Sequence, residues 1–135
     1  MRLSFVDASI ALKWFFQEEK NSLAALEILN QIKNQPTYFA VPELFFNEML
    51  HVFCKTVQDK KLILEYLGAL QDLGFARFGN GGETLKTAVY LAKTYQLSGY
   101  DAIYAANAML SDGVWITADE KAHRKIEKLK ISQLL

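Results

Sequence analysis

The sequence predicts an α/β protein in which a parallel sheet of about four or five strands lies between two layers of helices. Three observations support this prediction. Short apolar runs of strand length alternate with longer amphipathic stretches along the chain. Each stretch between runs is long enough to hold at least one helix, the connection that parallel strands require. The 135 residues, about half of them hydrophobic, suffice for one domain, and we assign residues 1–135 to it.

The strands are predicted from short apolar runs that are bounded by polar or turn residues. In chain order the candidates are Leu3–Val6, Tyr38–Val41, Phe75–Phe78, Val114–Thr117 and a short fifth strand within Lys130–Leu134. Because the carboxyl ends of parallel strands meet at one edge of a sheet, the residues that follow these runs are expected along that edge.

The helices are predicted from apolar residues at helical spacing and from residues that start or stop helices. Asp7 is placed to cap the first helix, and Pro42 is expected in the first turn of a helix that runs to about Val57. Gly74 ends another helix, and residues 79–82 form the clearest loop. The predicted helices are Ala8–Phe16, Asn21–Asn34, Pro42–Val57, Lys60–Leu73, Glu83–Tyr95, Asp101–Leu110 and Ala118–Lys128.

Composition gives no sign of bulk nucleic-acid affinity, because 15 basic and 15 acidic residues cancel. Any such surface is therefore local. Cys54 is the only cysteine, so an intrachain disulfide is excluded, and we predict that its thiol is buried. The apolar start of the chain does not match a signal peptide, because Asp7 and Lys13 interrupt it. No window approaches the roughly 18 apolar residues of a membrane span. We expect a soluble, cytoplasmic protein.

Four acidic residues are the candidate site. Asp7 and Asp119 end strand-like runs, whereas Glu48 and Asp101 lie at or near the starts of helical patterns. Gathered at one edge, they would repel one another by about 4 kcal/mol per pair at 4 Å and an effective dielectric of 20. Carboxylates alone suit Mg²⁺ or Mn²⁺ rather than Zn²⁺. The chemistry indicated is phosphodiester hydrolysis, in which an ion lowers the pKa of an attacking water.

Helix capping is the alternative explanation for these acids. Asp7 has the position of an N-cap, and Ser98-x-x-Asp101 has the form of a capping box. Thr117-x-x-Glu120 has that form too, which places Asp119 in a first helical turn, where acids are favoured. Capping does not explain Glu48, which lies well inside its helix. Considered together, the four positions favour a common site.

Four segments around these acids form a family pattern: Phe5–Ser9, Val41–Glu48, Leu97–Ala106 and Trp115–Lys121. In this order and at these separations they resemble the PIN domain, in particular the small VapC-type toxin ribonucleases of toxin–antitoxin pairs. The resemblance covers essentially the whole chain. It implies a PIN-like α/β/α fold, cleavage of RNA that depends on Mg²⁺ or Mn²⁺, and a metal-site role for Asp7, Glu48, Asp101 and Asp119.

The resemblance also implies secondary roles and partners. Ser9 and Thr117 would support the site or position water, although ordinary hydrogen bonding at helix starts explains them equally well. The partners it implies are a second copy of the chain, forming a homodimer, and a cognate antitoxin whose C-terminal segment packs over the toxin. The consecutive aromatic residues 14–16 point about 100° apart on a helix, so they indicate either a partner surface or an aromatic core.

Basic residues near the last acid are candidate RNA contacts. His123, Arg124 and Lys125 follow Asp119, and Lys13 is a further candidate on the same edge. The alternative is a solvated helix face.

Glu48-x-x-His51 matches half of a carboxylate-bridged di-iron site, but no second such motif exists in the sequence. His51 is therefore predicted to be a partly buried helical histidine.

The sequence thus predicts a metal-dependent endoribonuclease toxin, and three alternatives stay open. The first is a structure-specific DNA nuclease of the wider PIN-like group, which the absence of large insertions disfavours. The second is a receiver-like signalling module with a phosphorylated aspartate. It needs a pair of acids after the first strand, where this chain offers only Asp7. The third is a non-catalytic binding protein with the same fold.

Overall fold

The structure is a computed structural model that describes residues 2–16 and 20–135. Its five strands are all parallel and form one sheet in the order β3-β2-β1-β4-β5. Helices flank the sheet, so the predicted α/β/α architecture is confirmed. The strands are β1 (Ser4–Val6), β2 (Phe39–Pro42), β3 (Ala76–Phe78), β4 (Val114–Thr117) and β5 (Ser132–Leu134).

The described residues form seven α-helices, and two short 3₁₀ turns precede β2 and β5. None of these helices is long and apolar enough to cross a membrane. The helices are α1 (Ala8–Phe15), α2 (Ser22–Asn34), α3 (Leu44–Thr56), α4 (Lys60–Gln71), α5 (Gly82–Tyr95), α6 (Gly99–Leu110) and α7 (Glu120–Ile126).

The predicted start of α3 is wrong. Pro42 is the last residue of β2, where it pairs with Phe78, and the helix begins two residues later, at Leu44. Glu43 continues the ladder by donating its N–H to the carbonyl of Phe78 at 2.8 Å. Proline is tolerated at this strand end because the neighbouring N–H makes the hydrogen bond that proline lacks.

The core lies on both faces of the sheet. Phe5 and Trp115 occupy paired positions on β1 and β4, and both are fully buried. Small residues let α6 approach the sheet and α5 closely: its alanines 102, 105, 106 and 108 are all fully buried. Gly113 lets the turn before β4 pass close to the chain before β1, because a Cβ there would clash with the carbonyl oxygen of Leu3.

The aromatic group at the end of α1 belongs to the core. Trp14 is buried and donates its indole N–H to the carbonyl of Ala25 at 2.8 Å. The ring of Phe15 lies 5.0 Å from that of Phe53 and 4.7 Å from that of Tyr66. The structure thus supports the second of the two explanations that the sequence left open.

Two predictions on α3 are wrong, since Cys54 and His51 are both exposed. The buried row of this helix consists of Phe45, Met49 and Phe53, spaced four residues apart. Cys54 and His51 lie off that row, on the outer surface of the helix.

Strand order places a topological switch point between β1 and β4. From β1 the chain proceeds to β2 on one side, whereas β4 pairs on the other side. The ladder continues one residue past β1, where Asp7 donates its N–H to the carbonyl of Ile116 at 3.0 Å. In open α/β sheets, ligands bind in the crevice at the carboxyl ends of such strands. Asp7 therefore lies at the position where a ligand is expected.

Candidate metal centre

Asp7 follows β1 and is almost fully buried. Its Oδ1 accepts a hydrogen bond of 2.9 Å from Trp115 Nε1, and its Oδ2 accepts one of 2.9 Å from the backbone N–H of Ser9. Burial raises the pKa of Asp7, and the charge of Asp119 raises it further, while the bonds from Ser9 and Trp115 oppose the rise. The predicted N-cap role of Asp7 is confirmed.

Glu48 lies in the second turn of α3 and is half-buried. Its Oε1 accepts a hydrogen bond of 2.8 Å from the hydroxyl of Tyr104. Burial raises the pKa of Glu48 to about 7, and the charges of Asp7 and Asp101 add to the rise. Near neutral pH, Glu48 is therefore partly protonated unless a cation binds beside it.

Asp101 lies in the first turn of α6, where its N–H donates to the Oγ of Ser98 at 3.0 Å. The capping predicted for Ser98 is thus present. Burial raises the pKa of Asp101 to about 6, with further increases from the charges of Asp7 and Asp119, while Lys125 lowers it.

Asp119 is exposed and is the N-cap of α7, rather than a first-turn residue as predicted. Its Oδ1 accepts from the N–H of Ala122 at 3.1 Å. Its own N–H donates to the Oγ1 of Thr117 at 3.1 Å, so the predicted cap is shifted by two residues. The helix therefore begins at Glu120.

The four acids share one electrostatic site. Asp7 raises the pKa of Glu48 and Asp101, and Asp119 raises the pKa of Asp7 and Asp101. Within residues 2–16 and 20–135, however, no three acidic, histidine or cysteine side chains converge closely enough to enclose an ion. Carboxylate oxygens are the type of donor that a hard divalent cation such as Mg²⁺ prefers, and Mg²⁺ commonly keeps several of its waters.

Ser9 and Thr117 hold the backbone around the acids. The Oγ of Ser9 accepts from the N–H of Ala118 at 3.0 Å, which joins the start of α1 to the loop after β4. Thr117 is fully buried and fixes the backbone of Asp119. Both hydroxyls therefore orient segments that carry an acid.

The family model that matches the sequence describes the PIN domain and covers residues 4–129. The chain belongs to the PIN domain family. No curated protein sequence matches it.

Solved structures share the fold at low sequence identity. A toxin–antitoxin complex from Klebsiella pneumoniae matches with a TM-score of 0.68 and 18% identity, covering 96% of this chain and 95% of that one. VapBC2 from Rickettsia felis, bound to a DNA fragment from its promoter, matches with a TM-score of 0.70 and 14% identity, covering 98% of both chains. PAE2754 from Pyrobaculum aerophilum matches with a TM-score of 0.66 and 22% identity, covering 95% of this chain and 86% of that one.

The strand order of the sheet excludes the receiver-like signalling module that the sequence left open. Receiver-like folds have the strand order 2-1-3-4-5, whereas the order in this PIN domain is 3-2-1-4-5.

The predicted RNA-binding residues of the PIN domain differ in position. Lys13 is buried on α1, a poor position for a surface contact with phosphate. Lys125 donates its Nζ to the carbonyl of Gln96 at 2.9 Å, and its charge reaches Asp101. Lys125 therefore lies at the acidic edge.

The two residues between Lys125 and Ala122 have local partners. Arg124 forms an ion pair of 2.6 Å with Glu120. His123 shares a hydrogen bond of 2.7 Å between its Nδ1 and the Oγ of Ser132. A phosphate would therefore compete with existing contacts at both side chains.

Sequence reasoning missed two site residues, Tyr104 and Trp115. A signal for each is present: Tyr104 lies one helical turn after Asp101, and Trp115 lies on the strand that leads to Asp119. Buried Tyr and Trp usually find a partner for their polar hydrogen. Their partners, Glu48 and Asp7, are distant in sequence.

Proposed function

We propose that this PIN domain is a metal-dependent endoribonuclease toxin of the VapC type, which hydrolyses RNA phosphodiester bonds at the acidic edge. One observation supports the proposal above all others. Four carboxylates from four separate segments lie near the switch point of the sheet, where the charge of Asp7 raises the pKa of Glu48 and Asp101 and the charge of Asp119 raises that of Asp7 and Asp101. Perturbed carboxylates clustered in the crevice of an α/β fold are typical of a functional site.

In this proposal Asp7, Glu48, Asp101 and Asp119 hold one or two Mg²⁺ or Mn²⁺ ions. A bound divalent ion would supply the charge that activates water and stabilises the phosphate as its negative charge develops. The protein's own contribution is orientation. Trp115 and the backbone of Ser9 fix both oxygens of Asp7, and Tyr104 fixes one oxygen of Glu48.

Charge explains why the site would need a cation. RNA carries a negative charge on every phosphate, and an edge with four carboxylates would repel it. A divalent ion relieves the repulsion among the acids and attracts the phosphate. Lys125, whose charge lowers the pKa of Asp101, adds positive charge at the same edge.

Partners and compartment follow from the same proposal. One structure with this fold is described as a toxin–antitoxin complex, and another is described as VapBC2. We accordingly propose a cognate antitoxin that neutralises the enzyme, a homodimeric assembly, and action on cytoplasmic RNA.

The test is cleavage of a mixed cellular RNA pool by the purified protein, with Mg²⁺, with Mn²⁺ and with EDTA. Asp101→Asn is the test variant. Asp112→Asn is the matched control, because Asp112 is exposed at the other end of α6 and has a φ of 52°, which asparagine tolerates. We expect discrete, metal-dependent cuts from the wild type and the control, and none from Asp101→Asn.

Two results would count against the proposal. Folded wild-type protein that binds no divalent ion and makes no cuts would remove its basis. Metal-dependent cleavage of flap DNA in preference to single-stranded RNA would favour the structure-specific DNA nuclease instead.

A further inference from the structure

A groove of about 460 Å³ lies beside the acidic edge, between α3 and the start of α6. Glu48 belongs to both the groove and the acidic site. The groove is lined by Leu44, Asn47, Glu48, His51, Val52 and Tyr100. Anything bound in the groove would therefore lie next to whatever the carboxylates hold.

Helical spacing divides the α3 side of the groove into two rows of residues. Leu44, Glu48 and Val52 lie four residues apart along one row of α3, while Asn47 and His51 lie on the neighbouring row. Across from them Tyr100, which is 64% exposed, directly precedes Asp101. A large aromatic side chain is thus presented to solvent at the margin of the site.

We propose that this groove binds one unpaired nucleobase of the RNA strand whose phosphate lies at the carboxylates. Tyr100 stacks on the base, while Asn47 and His51 recognise its polar edge. The inference rests on the proposed function, since it names the part of the substrate that occupies the groove.

The polar groups in the groove favour a base. Among the residues that the structure describes, neither the Asn47 amide nor the His51 ring forms a side-chain hydrogen bond to the protein, so both are available to a ligand. Single-stranded RNA is recognised by stacking of bases on aromatic side chains and by hydrogen bonds to base edges. An aromatic ring beside an amide and an imidazole provides both kinds of contact.

Size and position favour the same occupant. The volume of the groove, about 460 Å³, falls in the range of sites for small ligands, roughly 300–1,000 Å³. A base is joined to its phosphate by a single sugar. Phosphate at Glu48 would therefore bring the base within reach of the groove.

The two kinds of contact predict separate effects. Stacking tolerates any base, so Tyr100 would contribute affinity. Hydrogen bonds distinguish bases, so Asn47 and His51 would contribute preference at one nucleotide next to the cut.

Affinity is tested by fluorescence anisotropy with labelled eight-nucleotide RNAs of mixed sequence, in Ca²⁺ to slow hydrolysis. We expect Tyr100→Ala to weaken binding on the order of tenfold, whereas Tyr100→Phe, which keeps the ring, stays within about twofold of the wild type. Tyr90→Ala is the matched control, because Tyr90 is 54% exposed on α5 and does not line the groove. Circular dichroism verifies that each variant is folded.

Preference is tested by sequencing the RNA ends that the wild type, Asn47→Ala and His51→Ala produce from a cellular RNA pool. We expect the polar variants to cut with the same metal requirement but with a broader choice of base at one position. An unchanged base choice in both variants would overturn the recognition roles of Asn47 and His51.

The outcomes separate this inference from the proposed function. If the wild type makes metal-dependent cuts and Tyr100→Ala binds RNA with unchanged affinity, the groove does not bind a base. That result would favour a protein partner as the occupant of the groove. Affinity that depends on Tyr100, without any cuts, would support the groove and contradict the nuclease. Wild-type protein that does not bind the short RNAs would overturn the inference directly.

Discussion

The acidic site has two regions that are held in different ways. The floor consists of Asp7 and Glu48, whose hydrogen-bond donors Trp115 and Tyr104 lie 108 and 56 positions away in the chain. The rim consists of Asp101 and Asp119. Each rim residue makes a capping hydrogen bond with a residue only three positions away.

This difference separates tertiary from local control of the site. The floor depends on the packing of α6 and β4 against β1 and α3, so a change there alters both stability and chemistry. The rim depends on single helix starts and is more exposed to water. A change at the rim is therefore expected to act on chemistry or on substrate binding with little effect on folding.

The largest expected effect is at the floor. Asp7→Asn should reduce metal-dependent RNA cleavage on the order of 100-fold or more, because the proposed metal site would lose its most buried carboxylate. The fold should persist with some loss of stability, because asparagine is also a good N-cap but its single oxygen can keep only one of the two hydrogen bonds that Asp7 accepts. Cleavage rates and thermal melts measure both effects.

Asp59→Asn is the control for this substitution, because Asp59 caps α4 with the same type of bond, to the N–H of Lys61. It should leave cleavage unchanged. Full metal-dependent cleavage by Asp7→Asn would mean that the site assignment is wrong.

The pH profile should have opposite signs for binding and for stability. Glu48 and Asp101, with pKa values of about 7 and about 6, must lose protons to hold a cation. Between about pH 7 and 6, metal affinity and cleavage should therefore fall by on the order of tenfold per pH unit, and below about pH 6, where both acids are protonated, by on the order of a hundredfold per unit. Calorimetric titration with Mn²⁺ and cleavage rates between about pH 5 and 8 provide the measurement.

Without metal, stability should instead decrease as pH rises. The folded-state pKa values of both acids lie above their ordinary values of 4.5 and 3.8, so the folded protein binds more protons. Their contribution is present at low pH and is lost as pH rises through about 6 and 7. Melts in EDTA should show this slope, and Glu48→Gln should reduce it. If Glu48→Gln leaves the dependence of stability on pH unchanged, the raised pKa of Glu48 does not cause it.

The two floor bonds should differ in strength. Trp115→Phe leaves the buried Oδ1 of Asp7 without its donor and should lower the free energy of unfolding by about 1–3 kcal/mol. Tyr104→Phe should lower it by only about 1 kcal/mol, because water can replace the hydroxyl at half-buried Glu48. Denaturation by urea in EDTA measures both differences.

A further effect separates the roles of these bonds from simple loss of packing. The hydroxyl of Tyr104 lowers the pKa of Glu48, so Tyr104→Phe should move the acid limb of cleavage to higher pH. Trp14→Phe is the control, since Trp14 donates to a carbonyl outside the site. It should affect stability and leave the pH profile unchanged. If both variants shifted the acid limb of the pH profile equally, the shift would not result from the hydrogen bond between Tyr104 and Glu48.

The smallest expected effect is at the basic residues near the rim. Lys125→Ala should weaken RNA binding a few-fold and reduce the salt slope by about 1, as the loss of one phosphate contact does. Arg124→Ala should change binding less, because its guanidinium already pairs with Glu120. Binding titrations at several salt concentrations distinguish the two. If Arg124→Ala had the larger effect, RNA would follow a different path.

The regular elements were predictable because they depend on local pattern. Short apolar runs indicated the strands, and the caps at Asp7 and Ser98 were visible as residue types at helix starts. The prediction failed where pairing with a neighbouring strand determined the secondary structure. Pro42 belongs to β2 rather than to the next helix because it pairs with Phe78 of β3. It also failed for Cys54, whose burial depends on which row of α3 faces the core.

The sequence by itself determined the parallel α/β class, the family, and the four acids that belong to one edge, because spacing and residue type carry that information. Tertiary structure alone decided the long-range hydrogen bonds that hold Asp7 and Glu48. Trp115 meets Asp7, and Tyr104 meets Glu48, only when α6 and β4 pack beside β1 and α3. Burial and proximity then raise the pKa values of these carboxylates, and both arise from residues that are far apart in the chain.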